Sequence, residues 1–478
     1  MNDSEIISLV ETIIGLRSES NFIEVKKAAN GCPKIFDTLS SFSNQRDGGV
    51  ILFGIDESND FDVCGVYDAA DLQKKISEQC LQMEPTVKAL CSVCDFNGKT
   101  VVCAEIPEIE DFQKPCYYKG AGRLRGSFTR VGDSDRQMTD YEIYSYEAFR
   151  KKIEDELRPV ERADIRELHT KEMATFKKIL VEKKPKVAAL DSRKVLQLLG
   201  FVSDAHPTIT GLFMFGEYPQ GFFPQLCITA VSVGGTEYCS TNNAGERFLD
   251  NSRIEGTIRQ MFENSMTFVK RNMKYRTVID ENTGKRDDVP EYPIIAIREI
   301  IINALVHRDY SIHTDNCPIT IKMFSNRIEV ENPGGLYGRT TLDTIGEYGA
   351  DTRNPYLANA LEIFGQTENR YSGIPTIRRA MEEFHLKAPL FENSRGTFRV
   401  TLFNEPEKVT SKVDGLEAEI LEFCKTPKSR NQLQEKFSDR ITIAYLMAKH
   451  IAPMVEKGLL KLSIPKKPKS KNQTYTTV

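Results

Sequence analysis

The sequence has no apolar run of the roughly eighteen residues that a transmembrane helix requires, which argues against a membrane-spanning protein. Its N-terminal segment, MNDSEIISLVETII, carries acidic residues early and has neither a basic region nor a small-residue cleavage site. A secretory signal needs both of these features, so the segment is not predicted to be one. We therefore expect a cytoplasmic protein that has no membrane partner.

The sequence also lacks the cysteine spacing of a disulfide framework or a zinc site. Its eleven cysteines are an odd number in a long chain without a secretory signal, which favours reduced thiols. Cys91 and Cys94 form a CxxC pair, but no second pair and no neighbouring histidine pair accompanies them. A tetrahedral zinc site would lack half of its ligands there, so ordinary strand cysteines are favoured over zinc. No repeat of fixed period occurs either, which argues against a solenoid.

What the chain has is the composition of a globular protein. It contains 478 residues, 40% hydrophobic and 28% charged, enough for roughly two to four domains. The net charge of −4 gives no general attraction for nucleic acid, but basic residues cluster locally. Because screening limits the reach of a charge to about 10 Å, a local cluster attracts phosphate even on an acidic protein. The two basic clusters lie at 119–136 and 465–471.

The pattern of apolar residues predicts an α/β (α+β) multidomain fold. A mixed α/β region opens the chain, a charge-rich stretch of connecting helices occupies 146–195, and a second α/β region continues to about residue 404. A helix-rich unit ends the chain. The expected strands are 21–26, 48–56, 100–106, 127–131, 210–215 and 226–233, a helix is expected at 35–42, and a polar loop at 280–290.

Residues 299–310, with the sequence EIIINALVHRDY, predict a helix that carries one narrow polar stripe. At 100° per residue, Asn303 lies about 40° and His307 about 80° from Glu299. Apolar residues border the stripe closely and fill the rest of the surface, as in a buried helix. A solvated face is the common explanation of a polar stripe. Here a buried ligand or metal site is favoured, because buried polar groups require partners.

This segment resembles the N-box of the GHKL ATPases, and more closely the divergent ATP-binding domain that follows a Schlafen-type domain in many bacterial regulators. In the GHKL proteins the residue at the Glu299 position orients the attacking water as general base. The residue at the Asn303 position binds Mg²⁺, which bridges the phosphates. The resemblance therefore implies an α/β sandwich over 196–405, ATP and Mg²⁺ as cofactors, and a candidate ATPase.

Further motifs of this family follow in order along the chain. Asn332-Pro333-Gly334-Gly335 stands at the glycine-containing G1 box, but Asn332 or Glu331 replaces the Asp that normally contacts the adenine amino group. Residues 352–358 match the RNP element of the family. By this resemblance Glu299 is the catalytic residue, Asn303 the Mg²⁺ ligand, and the nucleotide-binding residues are Asn303, His307, Asn332, Gly334, Gly335 and, in the lid, Gly373.

Segments within residues 1–145 resemble the Schlafen AlbA_2 domain, chiefly 19–56, 114–119 and 130–132. The family implies nucleic-acid binding, and some members cleave RNA with three acidic residues. Two carboxylates beside a lysine could hold a divalent ion and polarise a phosphate. A domain that only grips nucleic acid, with charge pairs on an edge strand, is the alternative. By motif position the acidic residues are Glu19, Glu24 and Asp56.

Basic side chains near the end of this domain are expected to hold phosphates, and two tyrosines to stack on bases. A solvated basic loop is the competing interpretation of the same residues. The basic residues are Lys119, Arg123, Arg125, Arg130 and Arg136, and the tyrosines are Tyr117 and Tyr118.

Residues 414–478 combine three expected helices with a basic β-hairpin, which are the parts of a winged helix, and resemble the winged-helix tail common in this family. The third helix would enter the major groove, and lysines of the wing would contact the DNA backbone. A winged helix used for protein contact is the alternative. The helices are predicted at 416–424, 430–437 and 443–457, with Gly458 as the last C-cap, and the wing lysines are Lys466, Lys467 and Lys469.

The favoured function is a nucleotide-modulated DNA-binding protein in transcriptional control. Its partners would be DNA or RNA and a nucleotide, because a ligand shifts affinity when it binds two states differently. GHKL relatives also imply a homodimer. The enzyme alternative is a metal-dependent nuclease, regulated by the ATP-binding domain, in phage defence. A scaffold with an inactive nucleotide pocket is the third hypothesis.

Overall fold

A computed structural model describes most of the chain, and the chain divides into two compact units, Met1–Pro406 and Glu407–Val478. The predicted α/β (α+β) class is confirmed, since helices and sheets mix throughout. The predicted boundaries at 145 and 195 lie inside the first unit and stay predictions. No helix in the described residues is long and apolar enough to cross a bilayer. The described residues are 1–168, 170–238, 247–279, 286–347, 351–365, 372–394, 396–406, 415–437, 446–456, 459–464 and 473–477.

The first sheet has the strand order β1-β2-β7-β6, in which β1 and β2 run parallel and the other pairs antiparallel. The elements of this region are α1 (Asp3–Leu16), β1 (Ile23–Lys26), α2 (Phe36–Asn44), β2 (Gly49–Phe53), β3 (Ile55–Asp56), β4 (Asp62–Val63), α3 (Ala69–Leu81), β5 (Met83–Glu84), β6 (Leu90–Phe96), β7 (Lys99–Ile106), β8 (Tyr117–Tyr118), α4 (Gly122–Gly126), β9 (Phe128–Val131), β10 (Ser134–Gln137) and α5 (Asp140–Lys151).

Both faces of this sheet are covered, because successive side chains of a strand point to opposite sides. Leu52 of β2 packs with α1, whereas its neighbours Ile51 and Phe53 pack with α2 and α3. Cys91 and Cys94 of β6 likewise join different clusters on the two faces, so they do not face one ion. The strands and the helix predicted in this region are confirmed, with small shifts at their ends.

Connecting helices follow, as the charge-rich stretch predicted, and pack into the core of the second α/β region through Phe176, Leu180 and Val195. The elements from here to the end of the first unit are α6 (Thr170–Lys183), α7 (Pro185–Ala188), α8 (Ser192–Leu198), β11 (Val202–Ser203), β12 (His206–Pro207), α9 (Ile209–Phe215), β13 (Ile228–Val233), β14 (Phe248–Ile254), α10 (Ile258–Asn272), β15 (Tyr275–Ile279), β16 (Arg286–Pro290), α11 (Ile294–His307), β17 (Ile319–Met323), β18 (Arg327–Pro333), α12 (Pro355–Ile363), α13 (Gly373–Glu383), β19 (Leu390–Ser394) and β20 (Thr397–Phe403).

The second sheet has the order β14-β13-β17-β18-β20-β19, and helices α10 and α11 pack against it. Helix α11 packs against α10, α13 and strand β18. Its apolar residues belong to the main hydrophobic core, together with inward side chains of β13, β17 and β18. The predicted strand at 226–233 is confirmed as β13. This arrangement places the polar stripe of α11 in one cavity with residues of β18 and β20.

The predicted strand at 210–215 is wrong, because these residues belong to helix α9. Thr208 is the N-cap of this helix, and its hydroxyl accepts the N–H of Gly211 at 3.0 Å. All residues of α9 are buried, so no polar face interrupts the apolar run. A short run that is apolar on every side does not reveal its period, and a strand and a helix then look alike in sequence.

The polar loop expected at 280–290 is also corrected in part, since 286–290 form strand β16. This strand pairs antiparallel with β15, and the Thr277 hydroxyl donates to Asp288 at 2.8 Å across the pair. Backbone pairing and such polar cross-strand contacts hold a strand that has little apolar surface. Residues 280–285 lie outside the described ranges.

The second unit contains helices and a small antiparallel sheet of order β21-β23-β22 around an apolar core. The two helices predicted at 416–424 and 430–437 are confirmed, and 446–456 is helical as the third prediction requires. Gly458, Lys466, Lys467 and Lys469 lie outside the described residues, so the winged helix stays a prediction. The described elements of the second unit are α14 (Gly415–Phe423), β21 (Lys428–Ser429), α15 (Arg430–Phe437), a π-helical turn at Met447–Ile451, α16 (Ala452–Glu456), β22 (Leu460–Leu462) and β23 (Thr474–Thr477).

Candidate nucleotide site

A cavity of about 630 Å³ lies between helices α11 and α13 and the strands β18 and β20. Segments as far apart in sequence as α11 and α13 meet in its wall, because α11 packs directly against α13 over the sheet. All seven residues that the family resemblance assigned to the nucleotide line this cavity. They are Glu299, Asn303, His307, Asn332, Gly334, Gly335 and Gly373.

The polar stripe of α11 faces the cavity, as the helical spacing predicted, but it is less buried than expected. Glu299 and Asn303 are half-buried, and His307 is exposed. The difference arises because the stripe faces an open cavity and not closely packed protein. Although part of His307 reaches solvent, desolvation of its ring by the surrounding protein, followed by the charge of Arg353, lowers the pKa of His307. The imidazole is therefore neutral at pH 7 and offers hydrogen bonds rather than positive charge.

Asn332 and Glu331 are the two candidates for the position of the expected Asp, and they point to opposite faces of β18. Asn332 is 5% exposed and lines the cavity, and its Oδ1 has no hydrogen-bond partner among the described residues. Glu331 points to the opposite face, because neighbouring strand residues alternate. There its carboxylate accepts hydrogen bonds from Thr320, Lys322 and Arg399 at 3.1, 2.9 and 2.8 Å. Asn332, and not Glu331, is thus available to a ligand.

The glycines of the G1 turn are required by the protein's own packing. Gly334 has a φ of +103°, and a Cβ there would lie 2.7 Å from the Cβ of Asp309. A Cβ at Gly335 would lie 2.8 Å from Asn393 Oδ1. These approaches place Gly334 against Asp309, which follows α11, and Gly335 against Asn393 of β19, and both glycines line the cavity.

Gly373 begins helix α13 directly against the polar stripe. A Cβ there would lie 2.9 Å from Asn303 Nδ2 and 3.1 Å from Glu299 Oε2. The N-cap, Ser372, makes no side-chain capping bond, and the first turn of α13 lines the cavity. The first backbone N–H groups of a helix lack internal partners and attract anions. The lid is predicted at 368–375, and its residues 368–371 lie outside the described ranges.

The RNP element clamps the end of α11, a role that sequence reasoning missed. The Asn354 amide donates to the carbonyls of Val306 and Arg308, both at 2.7 Å, which satisfies the open end of the helix. Arg353 pairs with the buried Asp309 and donates to the Gly335 carbonyl at 3.1 Å. The HRDY and RNP motifs were visible in sequence, but nothing there showed that they bind each other.

The predicted acidic trio of the first domain is not brought together. Glu19 and Glu24 surround Arg130, whereas Asp56 pairs with Lys27 at 2.5 Å. Burial, followed by the nearby Glu24, raises the pKa of Glu19 to about 7 although the N–H of Val25 donates to it. Within the described residues, no group of three His, Cys, Asp or Glu side chains is arranged to hold a metal ion.

Arg130 is not a surface residue that could hold a phosphate, which corrects the sequence prediction. Its side chain is 1% exposed and lies 2.7 Å from Glu24 and 3.1 Å from Asp135. The contact with Glu24 is an ion pair without hydrogen-bond alignment, since Glu24 Oε2 has no hydrogen-bond partner in the described part of the chain. Arg130 therefore neutralises buried carboxylates.

The other basic residues of this domain differ in their availability. Arg123 pairs with Glu147 and lies over the ring of Tyr117, and Arg136 pairs with Glu142 at 2.7 Å. Tyr118 stacks on Phe36, with ring centroids 3.9 Å apart. Both tyrosine rings are therefore engaged within the protein, whereas the sequence predicted that they stack on bases. Arg125 is exposed and has no ion-pair partner among the described residues, and Lys119 lies 3.4 Å from Glu84.

The first unit contains two α/β regions, and comparison with protein families finds a known domain in each of them. Residues 19–139 match the family described as "Schlafen, AlbA_2". Residues 316–402 match HATPase_c_4, described as "Putative ATP-dependent DNA helicase recG C-terminal". The chain therefore contains both domains. The second match begins after α11, so geometry alone assigns the polar stripe to this domain. Together the two matches associate the chain with DNA-linked proteins that carry an ATPase-type domain.

Two solved structures are similar over part or all of the chain. The DIP2311 protein from Corynebacterium diphtheriae is 16% identical, with a TM-score of 0.41, over 99% of this chain and 97% of that chain. The N-terminal domain of a "Putative ATP-dependent DNA Helicase RecG-related Protein" from Nitrosomonas europaea is 24% identical, with a TM-score of 0.24, over 29% of this chain and 95% of that chain. No curated protein matches. The family matches alone carry the domain assignment.

Proposed function

We propose that this protein is a nucleotide-modulated DNA-binding protein that acts in transcriptional control. The observation that carries the proposal is the single cavity on which all seven predicted nucleotide residues converge. Its volume of about 630 Å³ lies within the range of roughly 300–1,000 Å³ that is typical of small-molecule sites. The ligand we propose is ATP with Mg²⁺.

The residues of the cavity suit the two ends of such a ligand. At one end, Asn332 offers an acceptor for a donor such as the adenine amino group. At the other, the first turn of α13 offers backbone N–H groups for phosphate, beside Asn303 and Glu299. Asn303 would hold Mg²⁺, which neutralises phosphate charge, and Glu299 would orient water if hydrolysis occurs. We propose binding as the function of the site, with hydrolysis as a property to be measured.

The nucleic-acid part of the proposal is supported by the AlbA_2 match and by exposed basic residues. Arg125 is exposed, and the Lys119 ammonium makes two long contacts, 3.4 Å to the exposed Glu84 and 3.3 Å to the carbonyl of Leu81. The winged helix in the second unit would supply a second DNA contact, including its wing lysines. A homodimer is proposed from the GHKL resemblance.

Calorimetry with ATP and Mg²⁺ tests the nucleotide site, and fluorescence anisotropy with a DNA duplex tests the switch. The wild type should bind ATP, and Asn303→Ala should bind it at least about tenfold more weakly, a loss of roughly 1.4 kcal/mol. DNA affinity should change when a non-hydrolysable ATP analogue is added. Phosphate release, compared with Glu299→Gln, separates hydrolysis from binding. If the intact protein binds no nucleotide, the switch is wrong and the scaffold hypothesis replaces it.

A further inference from the structure

Helix α5 contacts the basic residues of the AlbA_2 domain through two of its glutamates. Glu142 pairs with Arg136 at 2.7 Å, and Glu147 pairs with Arg123. A capping box at Thr139 fixes where the helix begins, because Thr139 and Glu142 satisfy each other's backbone N–H groups. A displacement of α5 would therefore change how two arginines of the predicted nucleic-acid surface are held.

The same helix reaches the wall of the nucleotide cavity through Tyr141. The Tyr141 hydroxyl donates to Asp309 Oδ2 at 2.6 Å, and Asp309 is completely buried. Arg353 binds the same carboxylate oxygen at 2.5 Å and donates to the carbonyl of Gly335 at 3.1 Å. Three consecutive polar contacts thus connect α5 to the glycine turn that lines the cavity.

Aromatic contacts support this connection. The Tyr141 ring fills the space beside Gly396, where a Cβ would lie 2.5 Å from Cε1 of the ring. Phe149, at the other end of α5, meets the edge of Tyr337 at a centroid distance of 5.6 Å. Tyr337 lines the cavity and lies under the Arg353 guanidinium at 4.9 Å. Phe149 thus contacts a residue of the cavity wall directly, whereas Tyr141 is connected to the wall through Asp309 and Arg353.

A second contact between the two regions is weaker. Arg46 lies 3.0 Å from Asp343 and donates to Thr341 at 3.1 Å, on the segment that follows the glycine turn. These side chains are largely exposed, and exposed ion pairs contribute little because water and salt screen them. The buried hydrogen bond between Tyr141 and Asp309 is therefore the stronger connection between the two regions.

We infer that α5 couples occupancy of the nucleotide cavity to the nucleic-acid surface of the AlbA_2 domain, with Tyr141 as the positioning residue. The inference rests on the proposed nucleotide site and names the element that would make it a switch. A nucleotide that moves the glycine turn moves the Gly335 carbonyl, and with it Arg353, Asp309 and Tyr141. Coupling of this kind is reciprocal, so DNA must change nucleotide affinity by the same factor.

The test measures the affinity of the full-length protein for a short fluorescent DNA duplex, with and without a saturating non-hydrolysable ATP analogue. The wild type should show a ratio of at least about fivefold between the two affinities, the lower end of usual couplings. Tyr141→Phe removes only the hydroxyl and should bring the ratio close to one, while each ligand still binds alone. Tyr144→Phe is the matched control, because its hydroxyl bonds Asp155 from the same helix, and Asp155, unlike Asp309, forms no ion pair with Arg353 among the described residues.

Glu147→Gln tests the side of the helix that holds Arg123, and it serves if Tyr141→Phe does not fold. It should leave nucleotide affinity unchanged and reduce the ratio, because Arg123 is released from α5. If Tyr141→Phe and Glu147→Gln both keep the wild-type ratio of DNA affinities, the proposed role of α5 is wrong. It is also wrong if Tyr141→Phe and Tyr144→Phe reduce that ratio equally. A wild type that binds no nucleotide would instead overturn the proposed function itself.

Discussion

Asp309 and Arg353 form a buried ion pair, with 2.5 Å between Oδ2 and Nη1, although 44 positions separate them in sequence. Asp309 is 0% and Arg353 7% exposed. Burial alone would raise the pKa of the Asp309 carboxyl, but Arg353, followed by the Tyr141 hydroxyl and Ser311, outweighs it and lowers that pKa. The pair joins the end of α11 to the start of α12, so it fixes one end of the cavity.

The first prediction concerns the stability that this pair provides. Arg353→Met leaves the Asp309 carboxylate buried without its cation, which typically costs about 3–5 kcal/mol of unfolding free energy. Arg339→Met is the control. Arg339 pairs with Asp351, which lines the cavity, but the Arg339 side chain is 66% exposed. Its loss should cost less than about 1 kcal/mol. Urea unfolding measures both, and equal costs would contradict the prediction.

The second prediction concerns recognition of the base. Asn332→Leu removes the buried acceptor and should weaken ATP binding by about tenfold or more, since an unmade buried hydrogen bond costs roughly 1–3 kcal/mol. It should also reduce any preference for ATP over GTP, because guanine presents a carbonyl where adenine presents an amine. Asn332→Asp retains an acceptor and should keep the preference.

Glu331→Gln is the matched control for the base-recognition test, because Glu331 is the neighbour on the opposite face of β18. Its nucleotide affinity should equal that of the wild type. Unchanged titrations of Asn332→Leu with ATP would remove Asn332 from the site.

The third prediction uses the glycine that meets the polar stripe. Gly373→Ala places a methyl group 2.9 Å from Asn303 Nδ2, so Asn303 and Glu299 must shift. The affinity for Mg²⁺-ATP should fall by about tenfold, equivalent to 1.4 kcal/mol. Unfolding free energy should change little, because the preference of alanine for a helix, about 0.5–1 kcal/mol, offsets the cost of this crowding.

Gly15→Ala controls for that helix preference. Gly15 lies in α1, and no atom lies within 4 Å of a Cβ built there. This variant should be slightly more stable and should bind Mg²⁺-ATP like the wild type. A Gly373→Ala variant with full affinity would show that the contact is not part of the binding geometry.

The polar stripe could be predicted from sequence because it depends only on helical spacing. Glu299, Asn303 and His307 follow at intervals of four, and any helix puts such residues on one face. Strand alternation likewise implies that Glu331 and Asn332 face opposite ways. The sequence does not show which face of β18 lies toward the helices, so it could not show whether Glu331 or Asn332 faces the cavity.

Contacts between distant segments were not predictable in the same way. Arg130 looked like a surface cation within a basic stretch, but Glu19, Glu24 and Asp135 converge on it from separate segments. The link from Tyr141 to Asp309 spans 168 positions. A single sequence contains the residue types of such networks, whereas their partners are determined by the packing of the whole unit.

The fourth prediction concerns the nuclease alternative. Arg130 neutralises Glu19 and Glu24, and Asp56 is engaged with Lys27, so the acidic residues do not present a common site for Mg²⁺. We expect the purified protein to leave labelled RNA and DNA intact with Mg²⁺ or Mn²⁺. Glu24→Ala is assayed alongside. Cleavage by the wild type that disappears in Glu24→Ala would establish the nuclease and overturn this expectation.

The last prediction concerns the pH dependence of stability and rests on Glu156. The carboxylate of Glu156 is fully buried and lies against the first residues of α12. It accepts the backbone N–H groups of Tyr356 and Leu357 at 2.8 and 2.7 Å and the hydroxyl of Thr210 at 3.0 Å. Burial outweighs these three hydrogen bonds and raises its pKa from 4.5 to about 7. The folded protein therefore holds this proton more tightly than the unfolded chain does.

The sign of the pH effect follows from that difference. A raised carboxyl pKa contributes stability that is fully present below the unfolded value of 4.5 and is lost as pH rises toward 7. The loss is on the order of 3 kcal/mol at 1.36 kcal/mol per pKa unit. Glu156→Gln cannot titrate, so its unfolding free energy should decline less than that of the wild type across this window. It should carry a constant cost, because one N–H at the start of α12 loses its acceptor.

Glu19, whose pKa is also raised to about 7, titrates in the same window, so the wild-type slope alone does not isolate Glu156. The quantity to measure is the difference between wild type and Glu156→Gln in urea unfolding at each pH. Glu182→Gln, at an exposed position in α6, supplies the control and should run parallel to the wild type. A difference that stays constant from pH 4.5 to 7 would mean that Glu156 remains ionised in the folded protein, its charge stabilised by the start of α12.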